Sequence, residues 1–262
     1  MDPAADASGR VLSADGTPIA WERHGEGPPL VVVDPIMMDR TSSGLAGVAE
    51  RLAAGHTVYT YDRRGKGESG DGEEYTAESE VDDLLAVVEA AGGTADLLGT
   101  SSGAILALRA AAESAVISSV IAVEPPLPGE DATGAAASRP DIRPQLAALI
   151  DAHDRAGAIR LFQESIGVPA ELIEASEPSP FEPAAHTIAY DLTLMLETDV
   201  QSLTGIQVPV LVLASSGSDD RLQGWARSTA EVLPEGSFQL LDGGWHGLDD
   251  EVLADAVEAF LD

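Results

Sequence analysis

Residues 95–108 read ADLLGTSSGAILAL, a short apolar run that ends in Gly-x-Ser-x-Gly and continues directly into a segment with helical spacing. A strand, a sharp turn and a helix in this order are the context in which such a motif exposes a serine nucleophile. Gly99 and Gly103 lack a Cβ atom, which relieves the crowding of a sharp bend. The bend predicts Ser101 as the nucleophile at the carboxyl edge of a sheet. Ser102 begins the helix, and its free N–H group is a candidate oxyanion donor.

Length and composition limit the possible classes of protein. A chain of 262 residues suits one large α/β domain with a subdomain. The absence of cysteine excludes disulfides, thiolate metal sites and cysteine nucleophiles, and we expect neither a metal nor another cofactor. The formal net charge of −31 argues against nucleic acid and anionic membranes as partners, because both require a basic surface. The sequence shows no apolar run of membrane-spanning length and no secretory signal, so we expect a cytoplasmic protein. As its oligomeric state we expect a monomer or a homodimer.

Strands and helices alternate along most of the chain, which is typical of a parallel sheet with helices on both faces. Leu30–Val33 is continuously apolar, as expected of a strand buried on both sides, and helical spacing follows from Asp39 to Ala54. We therefore predict an α/β core domain with a mostly parallel twisted sheet, formed by residues 1–124 and 206–262. Residues 125–205 contain Pro/Gly-punctuated helical patterns without a convincing strand, which predicts a helical lid (cap) subdomain over the carboxyl edge of the sheet.

Three short segments carry a resemblance to a known family. Residues 62–69 read DRRGKGES and are similar to a D-x-R-G-x-G-x-S turn, residues 99–103 form the serine elbow, and residues 243–247 read GGWHG. Together they resemble the α/β-hydrolase superfamily, in particular its members with a lid, and the likeness covers nearly the whole chain. The resemblance implies the α/β-hydrolase fold and a serine catalytic triad.

The resemblance also points to the histidine and the acid of that triad. His246 lies in a glycine-rich loop before the last helix and is the predicted general base for Ser101. In most members of the family the acid follows the strand that ends near Ala214, which points to Asp219 or Asp220. In some lidded members it follows the preceding strand, which points to Glu124 before two prolines. We favour Glu124, and Asp219 stays the alternative.

The loop after Leu30–Val33 departs from the family pattern. An oxyanion hole needs two N–H donors, and the family implies that Ile36 supplies the one that Ser102 does not. The chain has Asp34-Pro35 where the family usually has His-Gly. A carboxylate near a developing oxyanion is unfavourable unless it points away or is protonated. Asp34 is therefore a candidate pocket residue that signals altered chemistry, or it bonds the backbone or Arg64 behind the loop.

Several further side chains are candidates for the wall of a substrate pocket beneath the lid. Two adjacent methionines in one loop suggest an adaptable apolar surface that fits a hydrophobic acyl group. His186 is included because it lies in the predicted lid, whereas Leu194 is expected to belong to the core. The candidate pocket residues are Met37, Met38, Phe181, His186, Tyr190, Met195 and Trp245.

These observations predict a cofactor-free serine hydrolase that cleaves an ester, thioester or lactone of a small hydrophobic metabolite through an acyl-enzyme. A first alternative is a non-hydrolytic biosynthetic enzyme, a lyase or cyclase, for which Asp34 would mark the changed chemistry. A second alternative is a non-catalytic ligand-binding protein on the same scaffold, because a fold does not determine a function.

Overall fold

The structure is a computed structural model that describes residues 6–129, 141–175 and 179–262. A sheet of eight strands runs through its centre. The strands are β1 (Ala7–Leu12), β2 (Pro18–His24), β3 (Pro29–Val33), β4 (Thr57–Tyr61), β5 (Ala95–Thr100), β6 (Ile117–Val123), β7 (Val210–Ser215) and β8 (Gly236–Leu241). Their spatial order is β1-β2-β4-β3-β5-β6-β7-β8. The first two pairs are antiparallel and the other five are parallel, which confirms the predicted sheet.

Nine α-helices lie in the described part of the chain. They are α1 (Ala46–Leu52), α2 (Ala77–Ala90), α3 (Ser102–Glu113), α4 (Arg143–Asp151), α5 (Arg155–Ile166), α6 (Ala170–Ala175), α7 (Ile188–Glu197), α8 (Asp220–Val232) and α9 (Asp250–Leu261). Helices α2, α3 and α8 pack on one face with Val31 and Val33, and α1 and α9 pack on the other with Leu30 and Val32. Successive residues of β3 therefore enter opposite cores, which explains its continuous apolarity. Within the described ranges, no helix is both long and apolar enough to cross a membrane.

The predicted helix from Asp39 to Ala54 is shorter in the structure, where α1 begins only at Ala46. The carboxylate of Asp39 accepts hydrogen bonds from the N–H groups of Thr41 and Ser42, at 2.9 and 3.0 Å. An aspartate that bonds the backbone two and three residues ahead stabilises a turn in competition with a helix. The helical prediction was therefore wrong for the first seven residues of that range.

Between β6 and β7 the described residues form helices joined by short loops, and no strand lies among them. This segment contains α4 to α7 and two 3₁₀ helices, Glu182–Thr187 and Val200–Gly205. Much of its apolar surface packs in a cluster of its own, which also includes Met37 from the loop after β3. Leu194 lies in the main core, as expected. Through Met37, this segment packs against the loop that follows β3.

Candidate active site

Ser101 occupies the turn between β5 and α3 in a conformation that few residues adopt. Its φ and ψ angles are 51° and −122°, a region that is sterically costly for a residue with a side chain. The flanking glycines make the bend possible. A Cβ atom at Gly99 would lie 2.5 Å from the carbonyl oxygen of Gly103, and one at Gly103 would collide with the carbonyl oxygen of Val33. Close contact of α3 with β5 and β3 therefore depends on these two positions.

His246 reaches Ser101 from a loop near the end of the chain. It lies between two short strands that pair with each other, β9 (Gly243–Gly244) and β10 (Gly247–Leu248). Its Nε2 atom is 3.0 Å from the Oγ atom of Ser101. Its backbone N–H donates to the Oγ atom of Ser218 at 2.9 Å, which holds the loop against the connection between β7 and α8. The imidazole can therefore accept the Ser101 proton.

Glu124 orients this imidazole from the end of β6. Its Oε2 atom is 2.7 Å from Nδ1 of His246, and its Oε1 atom accepts a hydrogen bond from the N–H of Ser215 at 2.8 Å. The residue is only 1% exposed. A buried carboxylate bonded to Nδ1 fixes the tautomer that leaves Nε2 free to accept a proton, and it stabilises the imidazolium that follows.

Asp219, the alternative acid, has a different partner in the structure. It is the N-cap of α8, and its Oδ1 atom accepts a hydrogen bond from the N–H of Leu222 at 2.9 Å. Asp220 is the first residue of the same helix. The structure brings neither of these aspartates into hydrogen-bond contact with His246. Of the candidate acids, it is Glu124 that meets the imidazole.

Strained backbone concentrates at this site. Five non-glycine residues of the described chain have a positive φ angle, and four of them are Met37, Ser101, Glu124 and His246. Such conformations persist only where the surrounding structure enforces them, and they are frequent at functional sites. The three residues of the hydrogen-bonded chain and the loop after β3 are therefore held in place by the fold.

The loop after β3 presents a free donor beside Ser101. A turn closed by a 3.4 Å bond from the N–H of Met38 to the carbonyl of Pro35 places Ile36 at its corner. Ile36 and Ser102 both line the cavity that contains the Ser101 hydroxyl. Across the described ranges, neither of their N–H groups donates to a protein acceptor. Both N–H groups are therefore free to donate to a bound group.

The side chain of Asp34 points away from the cavity at Ser101. Its Oδ1 atom accepts a 2.6 Å bond from the hydroxyl of Ser43, and its carbonyl accepts one from Arg63 at 3.2 Å. Its Oδ2 atom is buried and has no partner among the described residues. Burial raises the pKa of this carboxyl to about 6, against the opposing effect of the Ser43 hydrogen bond. The prediction of Asp34 in the substrate pocket was wrong, and its carboxylate bonds Ser43 where the backbone or Arg64 was expected.

Two cavities meet at the Ser101 hydroxyl and the His246 ring. The larger has a volume of about 290 Å³, and the smaller about 60 Å³. The predicted pocket residues Met37, Met38 and Phe181 line the larger cavity. Trp245 and Met195 line the smaller one, as do Leu192, Leu222, Trp225 and Arg221.

Two predicted pocket residues lie elsewhere. The hydroxyl of Tyr190 lies 3.0 Å from the carboxylate of Asp71, and its ring stacks on Tyr75 with centroids 4.4 Å apart. His186 lies 3.6 Å from the same carboxylate. These side chains fasten the segment between β6 and β7 to the loop after β4. Neither side chain lines the two cavities, because both face that loop.

Sequence reasoning missed Phe162 and Ile166, which line both cavities. They lie four positions apart on α5, so they share one face of that helix. That spacing was readable in the sequence, but nothing local showed that this face would point at Ser101. It also assigned no role to three buried charged residues behind the elbow, Arg63, Lys66 and Asp191.

Residues 24–260 match a family described as the alpha/beta hydrolase family. The crystal structure of an alpha/beta hydrolase from Sphaerobacter thermophilus is 35% identical with a TM-score of 0.89, covering 97% of this chain and 100% of that one. No curated protein matches the sequence significantly.

Two more distant structures share the fold. An enol-lactonase from Burkholderia xenovorans is 19% identical with a TM-score of 0.77, covering 97% of this chain and 99% of its own. An esterase from Exiguobacterium antarcticum is 21% identical with a TM-score of 0.76, covering 96% and 98%. At this level of identity, the similarity concerns the fold and not the substrate.

Proposed function

Because this chain belongs to the alpha/beta hydrolase family, we propose that it is a serine hydrolase that cleaves an ester, thioester or lactone through an acyl-enzyme. The observation that carries the proposal is the continuous chain of contacts from Glu124 through His246 to Ser101, at 2.7 and 3.0 Å. A carboxylate, an imidazole and a hydroxyl in this order form the arrangement that activates a serine nucleophile.

In the proposed mechanism, Ser101 attacks the carbonyl carbon while Nε2 of His246 accepts its proton. Glu124 stabilises the resulting imidazolium. The N–H groups of Ile36 and Ser102 donate to the oxyanion, which is where such sites gain most of their rate. His246 then returns the proton to the leaving group, and it activates the water that releases the acyl group from Ser101.

The larger cavity supports a hydrophobic acyl group as the substrate feature. Its wall is mainly apolar, and its volume of about 290 Å³ lies near the lower end of the roughly 300–1,000 Å³ typical of ligand pockets. We propose that the acyl group occupies this cavity and that a small leaving group exits past Trp225 and Trp245. We also propose that the helical segment between β6 and β7 acts as the lid, since its α5 forms part of both cavity walls.

The position of Asp34 bears on the non-hydrolytic alternative. That alternative depended on a carboxylate beside the developing oxyanion. Asp34 is bonded to Ser43 and is 1% exposed, so it faces the interior of the loop. This placement favours hydrolysis over a lyase or cyclase reaction.

A fluorophosphonate probe tests the nucleophile directly. We expect the native protein to be labelled at Ser101 and to release p-nitrophenol from short and medium p-nitrophenyl esters. Ser101→Ala should lose both properties, whereas Ser228→Ala, on α8 and outside both cavity walls, should keep them. A native protein that is not labelled would indicate the ligand-binding alternative. Turnover that survives Ser101→Ala would indicate the non-hydrolytic one.

A further inference from the structure

Three charged side chains lie together directly behind the elbow, in a buried network in which Nε of Arg63 also pairs with Glu80 at 2.6 Å. Arg63 and Lys66 come from the loop after β4, and Asp191 comes from α7. The Oδ1 atom of Asp191 is 2.7 Å from Nη1 of Arg63, and its Oδ2 atom is 3.3 Å from Nζ of Lys66. None of the three side chains is more than 1% exposed. We refer to these residues as the Arg63–Lys66–Asp191 cluster.

The cluster touches both parts of the chain that supply the oxyanion donors. Nη1 of Arg63 donates to the hydroxyl of Ser102 at 3.4 Å and to the carbonyl of Asp34 at 3.2 Å. Nζ of Lys66 donates to the carbonyl of Pro35 at 3.4 Å. The cations therefore bind the backbone of the loop after β3 and the first residue of α3.

The contact between Lys66 and Pro35 has a direct geometric consequence. The carbonyl of Pro35 and the N–H of Ile36 belong to the same peptide group, and a trans peptide points these two groups in opposite directions. A carbonyl held toward Lys66 therefore directs the Ile36 N–H away from the cluster. Ile36 lines both cavities at Ser101, so that direction leads toward the reacting carbonyl.

Stability alone is a weak reason for this arrangement. Removing an ammonium group from water is costly, and a protein with apolar side chains of similar volume in such places is often at least as stable. Burial and the neighbouring Arg63 guanidinium also lower the pKa of Lys66 below its usual value. Lys66 is the one lysine in the whole sequence, and its ammonium lies at the back of the loop that carries an oxyanion donor.

We propose that the Arg63–Lys66–Asp191 cluster holds the two donors of the oxyanion hole in position. Lys66 is the positioning residue that orients the N–H group of Ile36. This inference rests on the proposed function and deepens it. Asp191 belongs to the segment between β6 and β7, so docking of α7 completes the support of the hole. The segment then contributes to the rate of the reaction in addition to covering the site.

The neighbouring Arg64 provides a matched control. Its guanidinium is equally buried, but it pairs with Asp83 at 2.6 Å and with Asp15 at 3.1 Å. It has no hydrogen bond to Asp34, Pro35 or Ser102 among the described residues. A substitution at Arg64 therefore disturbs the same loop without removing a contact to either oxyanion donor.

The test compares Lys66→Met with Arg64→Met on a p-nitrophenyl ester. A misdirected donor should lower kcat about 10- to 100-fold with KM nearly unchanged, because loss of a whole donor costs about 100- to 1,000-fold. The affinity of a trifluoromethyl ketone, which forms a tetrahedral adduct with the serine, should fall by the same factor. When it is assayed below its melting temperature, Arg64→Met should keep kcat within about twofold of the native value, as expected for an independent site.

Chemical rescue separates charge from fold. The chain has no cysteine, so Lys66→Cys can be alkylated at one sulfur under denaturing conditions and refolded. Alkylation with 2-bromoethylamine restores an ammonium group at nearly the original length, and alkylation with 1-bromopropane gives the same length without charge. We expect the first product to regain most of the native kcat and the second to remain as slow as Lys66→Met.

The possible results separate failure of the inference from failure of the proposed function. Native kcat in Lys66→Met, or equal recovery by the two alkylated products, would overturn the inference while leaving the serine hydrolase intact. A native protein that neither hydrolyses esters nor reacts with the fluorophosphonate would overturn the proposed function, and the inference with it.

Discussion

The carboxylate of Glu124 lies 2.7 Å from Nδ1 of His246, although 122 residues separate them in the chain. This contact predicts that Glu124→Gln lowers kcat by about 10³- to 10⁴-fold, because an amide neither fixes the required tautomer nor stabilises imidazolium. Ester hydrolysis at saturating substrate measures the effect. Asp219→Asn is the control, since asparagine is as good an N-cap as aspartate. An inactive Asp219→Asn beside a fully active Glu124→Gln would reverse the assignment.

The packing of the elbow predicts a large loss of stability in Gly103→Ala. The added methyl group would collide with the carbonyl oxygen of Val33, in a central strand that cannot move. We expect a loss of about 2–3 kcal/mol in the free energy of unfolding, as for other overpacked sites. Urea denaturation measures it.

Gly224→Ala is the control, and we expect it to change the free energy of unfolding in the opposite direction. Gly224 is exposed on α8, and a Cβ atom there would meet nothing within 4 Å. We expect a gain of about 0.5–1 kcal/mol, because alanine restricts the unfolded chain and favours the helix. Equal stabilities of Gly103→Ala and the native protein would show that α3 is not packed on β3 as described.

The buried carboxyl of Asp34 predicts a pH-dependent stability. Its pKa rises from 3.8 to about 6 in the folded protein, so the folded state binds a proton more tightly than the unfolded state. Protonated Asp34 therefore makes its full contribution to the stability of the folded protein below pH 3.8, and this contribution is lost as pH rises through 6. The change in the free energy of unfolding that Asp34→Asn causes should therefore be more favourable at pH 8 than at pH 4.5, by about 2 kcal/mol.

Unfolding in urea at the two pH values checks this difference. Asp255→Asn, on the exposed side of α9, controls for removing one charge from a chain with a net charge of −31. The expected difference between the two pH values is larger for Asp34→Asn than for the control. The same difference in both variants would mean that Asp34 is solvated.

The larger cavity predicts a dependence on acyl chain length. Val168 lines this cavity, so Val168→Trp should shorten the acyl group that fits. We expect the ratio of kcat/KM for p-nitrophenyl hexanoate over acetate to fall by about tenfold or more, since a single methylene in an apolar pocket has an effect of this size. Leu172→Trp, which is 47% exposed on α6 and outside both cavity walls, should leave the ratio unchanged. A ratio that falls equally in both would place the acyl group elsewhere.

Local sequence was sufficient to predict the sheet and the elbow. A parallel strand covered on both faces must be apolar at every position, as Leu30–Val33 is, because its successive side chains enter two different cores. A sharp bend from strand to helix requires missing Cβ atoms at fixed positions on either side of Ser101, and two glycines stand there. In both cases the physical requirement acts on neighbouring residues, so a short window of sequence reveals it.

Only the tertiary structure decided which acid meets His246 and which side chains form the pocket. Glu124 and Asp219 both follow strands that end at the same edge of the sheet, and a difference in loop conformation turns one toward the imidazole and makes the other a helix cap. Tyr190 and Phe162 are both apolar positions of helices in one segment, yet α7 turns the first toward Asp71 and α5 turns the second toward Ser101. These outcomes depend on how elements far apart in the chain pack against each other, which no local pattern specifies.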